Sequence, residues 1–268
     1  MKEPMSSTTI QYPQGDRVYT TSARDLTWVD ASRPGLRKAA VHENRETGRF
    51  LGLLSFDTLA SSGLHHHVDI AFSYMLSGGL TDYAGTTVAG QMGINMPGAT
   101  HDAIAYVPTL MASRLDGPVL YAPGVGAENV PPLHAGGRSE TFVNPRPEES
   151  PDVSLTLADL PAWPTAVAGL TRRMICDYRG TRNDFRNVAL KMIPGTRVPP
   201  FRTRQIIEIF VLGGGMKVNG KLVLGGSFCV IEPDTEVSMG SGFGVEFIAW
   251  SEGRVEWLDA ARPDLFGF

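Results

Sequence analysis

The sequence predicts an all-β protein, and three observations carry that expectation. Its 30 glycines and 19 prolines in 268 residues exceed ordinary usage and point to many turns. Short apolar runs of strand length recur between those turns. No long segment shows the 3.6-residue apolar period of an amphipathic helix. A sandwich or barrel is the architecture that such a pattern supports.

Taken in order, the first twenty residues are polar and irregular and read as an arm. From about Asp25 strand-like runs begin, among them "FLGLLSF" (50–56), "IAFSYMLSG" (70–78), "QMGINMPG" (91–98) and "PVLYAPG" (118–124). Residues 126–155 are rich in proline and lack periodicity, the pattern of a linker. Strands resume with "VALKMIPG" (188–195), "IIEIFVLGG" (206–214), "GKLVLGG" (220–226), "FCVIEP" (228–233) and "VEFIAW" (245–250). "GGG" at 213–215 precedes no helix and no Lys-Ser/Thr, so it reads as a β-turn, not a phosphate loop.

Composition excludes several function classes. A net charge of −4 without any Lys/Arg block argues against nucleic acid as a partner. No apolar run approaches the roughly 18 residues of a membrane span. The opening "MKEPMSSTTI" has no apolar signal core, so a cytoplasmic location is expected. Cys176 and Cys229 form no CxxC and read as reduced, buried small hydrophobes. Neither a Gly-x-Ser-x-Gly elbow nor a His-Glu-x-x-His helix is present.

The chain repeats itself. "DLTWVDASRPGLRK" (25–38) returns as "DLPAWPTAVAGLTRR" (159–173), and "IAFSYMLSGG" aligns with "IIEIFVLGGG" at an offset of 136. At that offset Gly90 meets Gly226 and Pro97 meets Pro233. Two copies of one β-domain follow.

Chemistry concentrates in "SSGLHHHVDIAF" (61–72). In an extended segment residues i and i+2 share a face, so His65 and His67 project together and His66 points away. His101, beyond a Pro-Gly turn, is placed to supply a third imidazole from a neighbouring strand. His42 and His134 lie in polar segments and read as solvated. Tyr74 shares the strand face of Phe72; if Phe72 lines a pocket, Tyr74 is a candidate hydrogen-bond donor to substrate beside it. Asp69 reads as a turn aspartate and Asp102 as structural.

These residues resemble the motifs of the cupin superfamily, Gly-x5-His-x-His-x(3–4)-Glu-x6-Gly and Gly-x5-Pro-x-Gly-x2-His-x3-Asn. His65-x-His67-x4-Phe72-x5-Gly78 follows the first with Phe72 in the glutamate slot, which implies that Phe72 lines the pocket. Gly90-x5-Met96-x-Gly98-x2-His101-x3-Ala105 follows the second with Met96 and Ala105 as departures. The resemblance covers residues 45–120 and 185–250. It implies two tandem jelly-roll (RmlC-like) barrels, 21–125 and 156–268, after an arm at 1–20. In the second copy His65, His67 and His101 become Phe201, Thr203 and Val237, while Phe72 becomes Glu208. The first copy is therefore expected to hold the metal and the second to be structural.

Three neutral imidazoles without a carboxylate suit a divalent transition metal and match Ca or Mg poorly. Fe(II) is favoured by resemblance to three-histidine dioxygenases of the dihydroxyacetophenone and acetylacetone-cleaving types; Zn, Ni and Mn remain alternatives. That resemblance implies an enzyme that takes a small β-dicarbonyl or hydroxyketone and O2 and cleaves a carbon–carbon bond. A metal-binding sensor, like the cupin domains of anti-sigma factors, and a non-redox isomerase or lyase are the alternatives. Cupins often exchange N-terminal strands, so a homodimer is also expected.

Overall fold

The computed structural model describes residues 8–10, 17–82, 84–121, 152–178 and 184–267. Most of the expected linker and His134 lie outside them. Among the described residues there are strands and short 3-10 turns, and no helix is long and apolar enough to cross a membrane. The chain divides into two compact units, Met1–Gln11 with Leu26–Thr156, and Tyr12–Asp25 with Leu157–Phe268.

The first unit is built from two principal antiparallel sheets. The larger runs in the order Thr8–Ile10, Leu36–Asn44, Phe50–Phe56, Thr109–Leu115, Ala71–Ser77, Gln91–Asn95, Asp152–Thr156. The smaller places His65–His67 between Thr100–His101 and Val119–Tyr121. Alternation is visible in the sequence where one face is wet: Gln91–Asn95 alternates buried and half-buried residues. Where the sheet is covered it disappears, as in Phe50–Phe56, whose first four residues are all buried. Phe56, Ala60, Met75, Ala105 and Met111 form a buried apolar cluster in this unit.

The second unit repeats this plan with a filled interior. Its core gathers Phe201, Ile207, Ile209, Val211, Val237 and Phe247, each at most 1% exposed. Phe201 and Val237 stand where the first unit has His65 and His101. Burying each contributes about 1.5–3 kcal/mol, so this copy has exchanged ligands for packing. Cys229 is buried and Cys176 half-buried, both are free, and burial pushes both thiols up to about 12. Both are therefore held as thiols and not thiolates at neutral pH.

Several expectations change here. The arm is not wholly irregular: Thr8–Ile10 pairs with the strand at Leu36–Asn44, and Val18–Ser22 pairs with Ser227–Ile231. The linker ends early, because Asp152–Thr156 is a strand on the first unit's sheet. Gly213–Gly215 is not a turn but part of the strand Ile207–Val218, where the register slips between Val211 and Gly213. An extra residue on one strand unpairs locally and bends the ladder. His42 is not solvated: it lies 9% exposed on the strand Leu36–Asn44, opposite Leu51.

Candidate metal centre

His65, His67 and His101 come together. The strand at His65–His67 alternates buried, exposed, buried, so the outer two imidazoles face inward and His66 faces solvent. His101 lies directly opposite His65 in the antiparallel pair. The three Nε2 atoms converge: His65 to His67 is 3.2 Å and His67 to His101 is 3.1 Å. Metal–nitrogen bonds of about 2.0–2.1 Å, at angles from octahedral to tetrahedral, put ligand nitrogens about 2.8–3.4 Å apart. Both distances fall in that range, and the three ligand atoms all lie within 4.8 Å of one another.

The outer ring nitrogens show why these three Nε2 atoms suit a cation. His65 Nδ1 donates to the Gly63 carbonyl at 2.7 Å, and His101 Nδ1 donates to Asp82 Oδ2 at 3.0 Å. In the neutral rings, both Nε2 atoms then carry lone pairs aimed at His67. One proton on His67 Nε2 satisfies one of those contacts, whereas a cation among the three satisfies both. Gly63 makes this possible by adopting φ +74°, and a Cβ there would lie 2.6 Å from the Arg33 guanidinium.

The sequence reading missed the carboxylates. Asp82 heads the hairpin turn after Gly79–Thr81; its Oδ1 accepts from Ala84 N at 2.8 Å, leaving Oδ2 for His101. Asp152 Oδ2 lies 3.8 Å from His101 Nδ1, and its Oδ1 accepts from Asn95 Nδ2 at 2.6 Å. No ligand spacing marks either residue, because Asp82 arrives from a hairpin turn and Asp152 through sheet register. They also set the local charge: a 2+ ion here would face two carboxylates across His101 as well as the neutral imidazoles.

Burial sets the protonation of the trio. Desolvation comes first for both: with charge on His101 it lowers His65 to about 3, and with charge on His65 and then His101 it lowers His67 well below its ordinary value. Burial would lower His101 too, but the Asp82 hydrogen bond and the Asp152 and Asp82 charges outweigh it, and its pKa is raised. A raised histidine stabilises the metal-free fold fully below about pH 6.5, and that contribution is lost as pH rises through the folded value. A metal must displace this one proton. Zn(II) or Co(II) affinity is therefore expected to rise about tenfold per pH unit below the folded His101 value and then level off. A competition titration across pH measures the slope; a slope near three protons would overturn this assignment of states.

The trio borders a cavity of about 390 Å³ between the two sheets of this unit. Phe50, Leu54, Phe56, Leu80, Met111 and Leu115 supply apolar wall, and Lys38, Glu43, Arg45, Asn95 and Ser73 supply polar groups. Lys38 and Glu43 form an ion pair. Phe72 and Tyr74 do not line this cavity, contrary to the expectation that they form its pocket. Alternate strand residues face opposite sides, and Ser73 is the inward one, its Oγ 2.9 Å from Ser113 Oγ. The same parity turns Glu208 away from the second unit's core, between the core residues Ile207 and Ile209. The tyrosine at the cavity is Tyr121, opposite His65 with ring centroids 5.8 Å apart. Arg33 lies 4.5 Å over the Tyr121 ring, and Ser32 Oγ is 3.2 Å from its hydroxyl. Its position in "PVLYAPG" shows strand but not register, so the sequence alone could not single it out. Asp69 is half-buried and caps Ile70 N, a turn role, and Asp102 is buried against Ser61 Oγ at 2.5 Å.

The fold is a cupin fold, antiparallel sheets with a His-x-His strand beside a third histidine strand. More particularly, residues 16–119 match the ChrR cupin-like domain family. Solved structures agree on the fold over nearly the whole chain. A presumed dioxygenase from Nostoc punctiforme PCC 73102 is similar at a TM-score of 0.70 and 9% identity, covering 96% of this chain and 93% of that one. A presumed glyoxylate-induced protein from Pseudomonas aeruginosa follows at 0.63 and 12%, covering 91% of each. Oxalate decarboxylase from Bacillus subtilis gives 0.55 and 12%, covering 93% of this chain and 79% of that one. No curated protein matches the sequence.

Proposed function

We propose that the protein is a metal-dependent cupin enzyme, a non-haem Fe(II) dioxygenase cleaving a carbon–carbon bond of a small β-dicarbonyl or hydroxyketone. The observation that carries this reading is the opening of three convergent imidazoles onto a 390 Å³ cavity rather than into packed core. Structural metal sites are closed, whereas catalytic ones keep positions for a ligand. When bound, the metal would supply Lewis acidity and a place for substrate and O2 to meet. His65, His67 and His101 would hold it. The apolar walls exclude water from the substrate and strengthen electrostatics at the site. Tyr121 stands beside the ligands with a hydroxyl able to donate to a substrate oxygen, the role first given to Tyr74. The overall reaction places one oxygen atom of O2 on each fragment and needs no outside reductant.

The test is elemental analysis of anaerobically purified protein, followed by oxygen uptake with β-diketones and aryl hydroxyketones. Near-stoichiometric iron and substrate-dependent uptake are expected. Full iron occupancy with no uptake on any such compound would remove the dioxygenase reading. One observation favours a second reading, a zinc-binding sensor: the family match is to the ChrR cupin-like domain. Copurified zinc with a specific protein partner would support it over the enzyme.

A further inference from the structure

The two repeats exchange their first strands. Val18–Ser22 and Asp152–Thr156 correspond at an offset of 134, and each leads into a 3-10 turn, Ala23–Asp25 and Leu157–Asp159. Yet Val18–Ser22 pairs with Ser227–Ile231 in the second unit, and Asp152–Thr156 pairs with Gln91–Asn95 in the first. Those two acceptor strands correspond to each other at the offset of 136. The strand carrying Asp152 thus belongs to the second repeat in sequence and to the first unit in space.

The exchange allows one position to be compared in two settings within one chain. In the first unit Asp152 lies opposite Asn95; in the second, Val18 lies opposite Ile231. Asp82 corresponds to Val218, and His101 to Val237. Val18, Ile231, Val218 and Val237 all belong to one apolar core. The polar set Asp152, Asn95, Asp82 and His101 is therefore replaced as a block where the other imidazoles are also lost. Nothing about strand pairing demands an aspartate at this place, since valine serves in the counterpart. Asp152 is 6% exposed at its side chain, a burial that a carboxylate tolerates only with compensation.

We propose that the second repeat, having lost its own ligands, completes the metal centre of the first by lending it Asp152 as a positioning residue for His101. The inference rests on the metal-centre reading above. Asp82 accepts the Nδ1 proton, while Asp152, held by Asn95, adds a second negative charge 3.8 Å from the same nitrogen. Together they orient the ring and increase electron density at Nε2, the effect that outer carboxylates have on ligating histidines. The degenerate copy is then more than a support, because its first strand is part of the site.

The test uses the full chain. Asp152→Asn keeps the side chain's shape and can still accept from Asn95, but removes the charge. Zn(II) affinity by chelator competition is expected to weaken about 10–100-fold, and the visible absorption of the Co(II)-loaded protein is expected to shift. The metal-free melting temperature should stay close to that of the unaltered protein, which separates a site effect from a folding defect. Asp152→Val, the counterpart's own residue, should weaken affinity at least as much. Unchanged affinity and Co(II) spectrum in both variants, with binding still lost in His101→Ala, would overturn the role of Asp152 alone. Unchanged binding in His101→Ala would instead overturn the metal centre on which it rests.

Discussion

Replacing His67 with alanine is expected to cost at least about 100-fold in divalent-metal affinity, beyond what altering an outer-shell partner costs. His67 is the middle of the trio, with Nε2 atoms 3.2 Å and 3.1 Å away on either side. Its loss leaves two imidazoles and forfeits the convergence that gives the site its affinity. Because the side chain borders an existing cavity, truncation enlarges open space and does not create a sealed void in packed core. The metal-free protein should therefore melt within a few degrees of the unaltered one. What should vanish is metal-induced stabilisation, worth about 2.7 kcal/mol for a ligand at a hundred times its Kd. Melting curves with and without Zn(II) read both quantities. Retained stabilisation by Zn(II) would mean that the three histidines do not form the binding site.

Phe72→Ala is expected to show the opposite pattern. Phe72 is fully buried and faces away from Ser73 and the cavity. Truncating a phenylalanine in packed surroundings costs about 3–5 kcal/mol, a large share of the roughly 5–15 kcal/mol that holds a domain folded. Metal affinity and the Co(II) spectrum of the folded fraction should not change. Chemical denaturation and metal competition on the same samples decide the matter. A small loss of stability with altered metal spectra would return Phe72 to the pocket wall where motif counting had placed it.

The contrast between these residues shows how far the sequence was legible. His65 and His67 could be paired from spacing alone, because a strand has a period of two and the three histidines are consecutive. His101 could be added because the turn before it ends close to its strand. Phe72 was not placed the same way. Four residues separate it from His67, and they include the break between two strands, His65–His67 and Ala71–Ser77, that belong to different sheets. Counting by two from His67 reaches Ser73 and not Phe72, so strand parity agrees with the structure across the break; it was the motif's glutamate slot that turned Phe72 inward. Tyr74 shares that error because its face was inferred from that of Phe72.

The all-β class, the doubled plan and the His-x-His pair were properties of the sequence itself, because turns, periodicity and self-similarity are local or additive signals. Tertiary structure alone decided what surrounds the histidines. Asp82 reaches His101 from a hairpin turn, Tyr121 meets His65 across a sheet, and Asp152 comes from the other repeat's strand. These contacts depend on which strands pair and in what register, a choice made by burial of whole faces at once. A single carboxylate in a proline-rich stretch carries no trace of it.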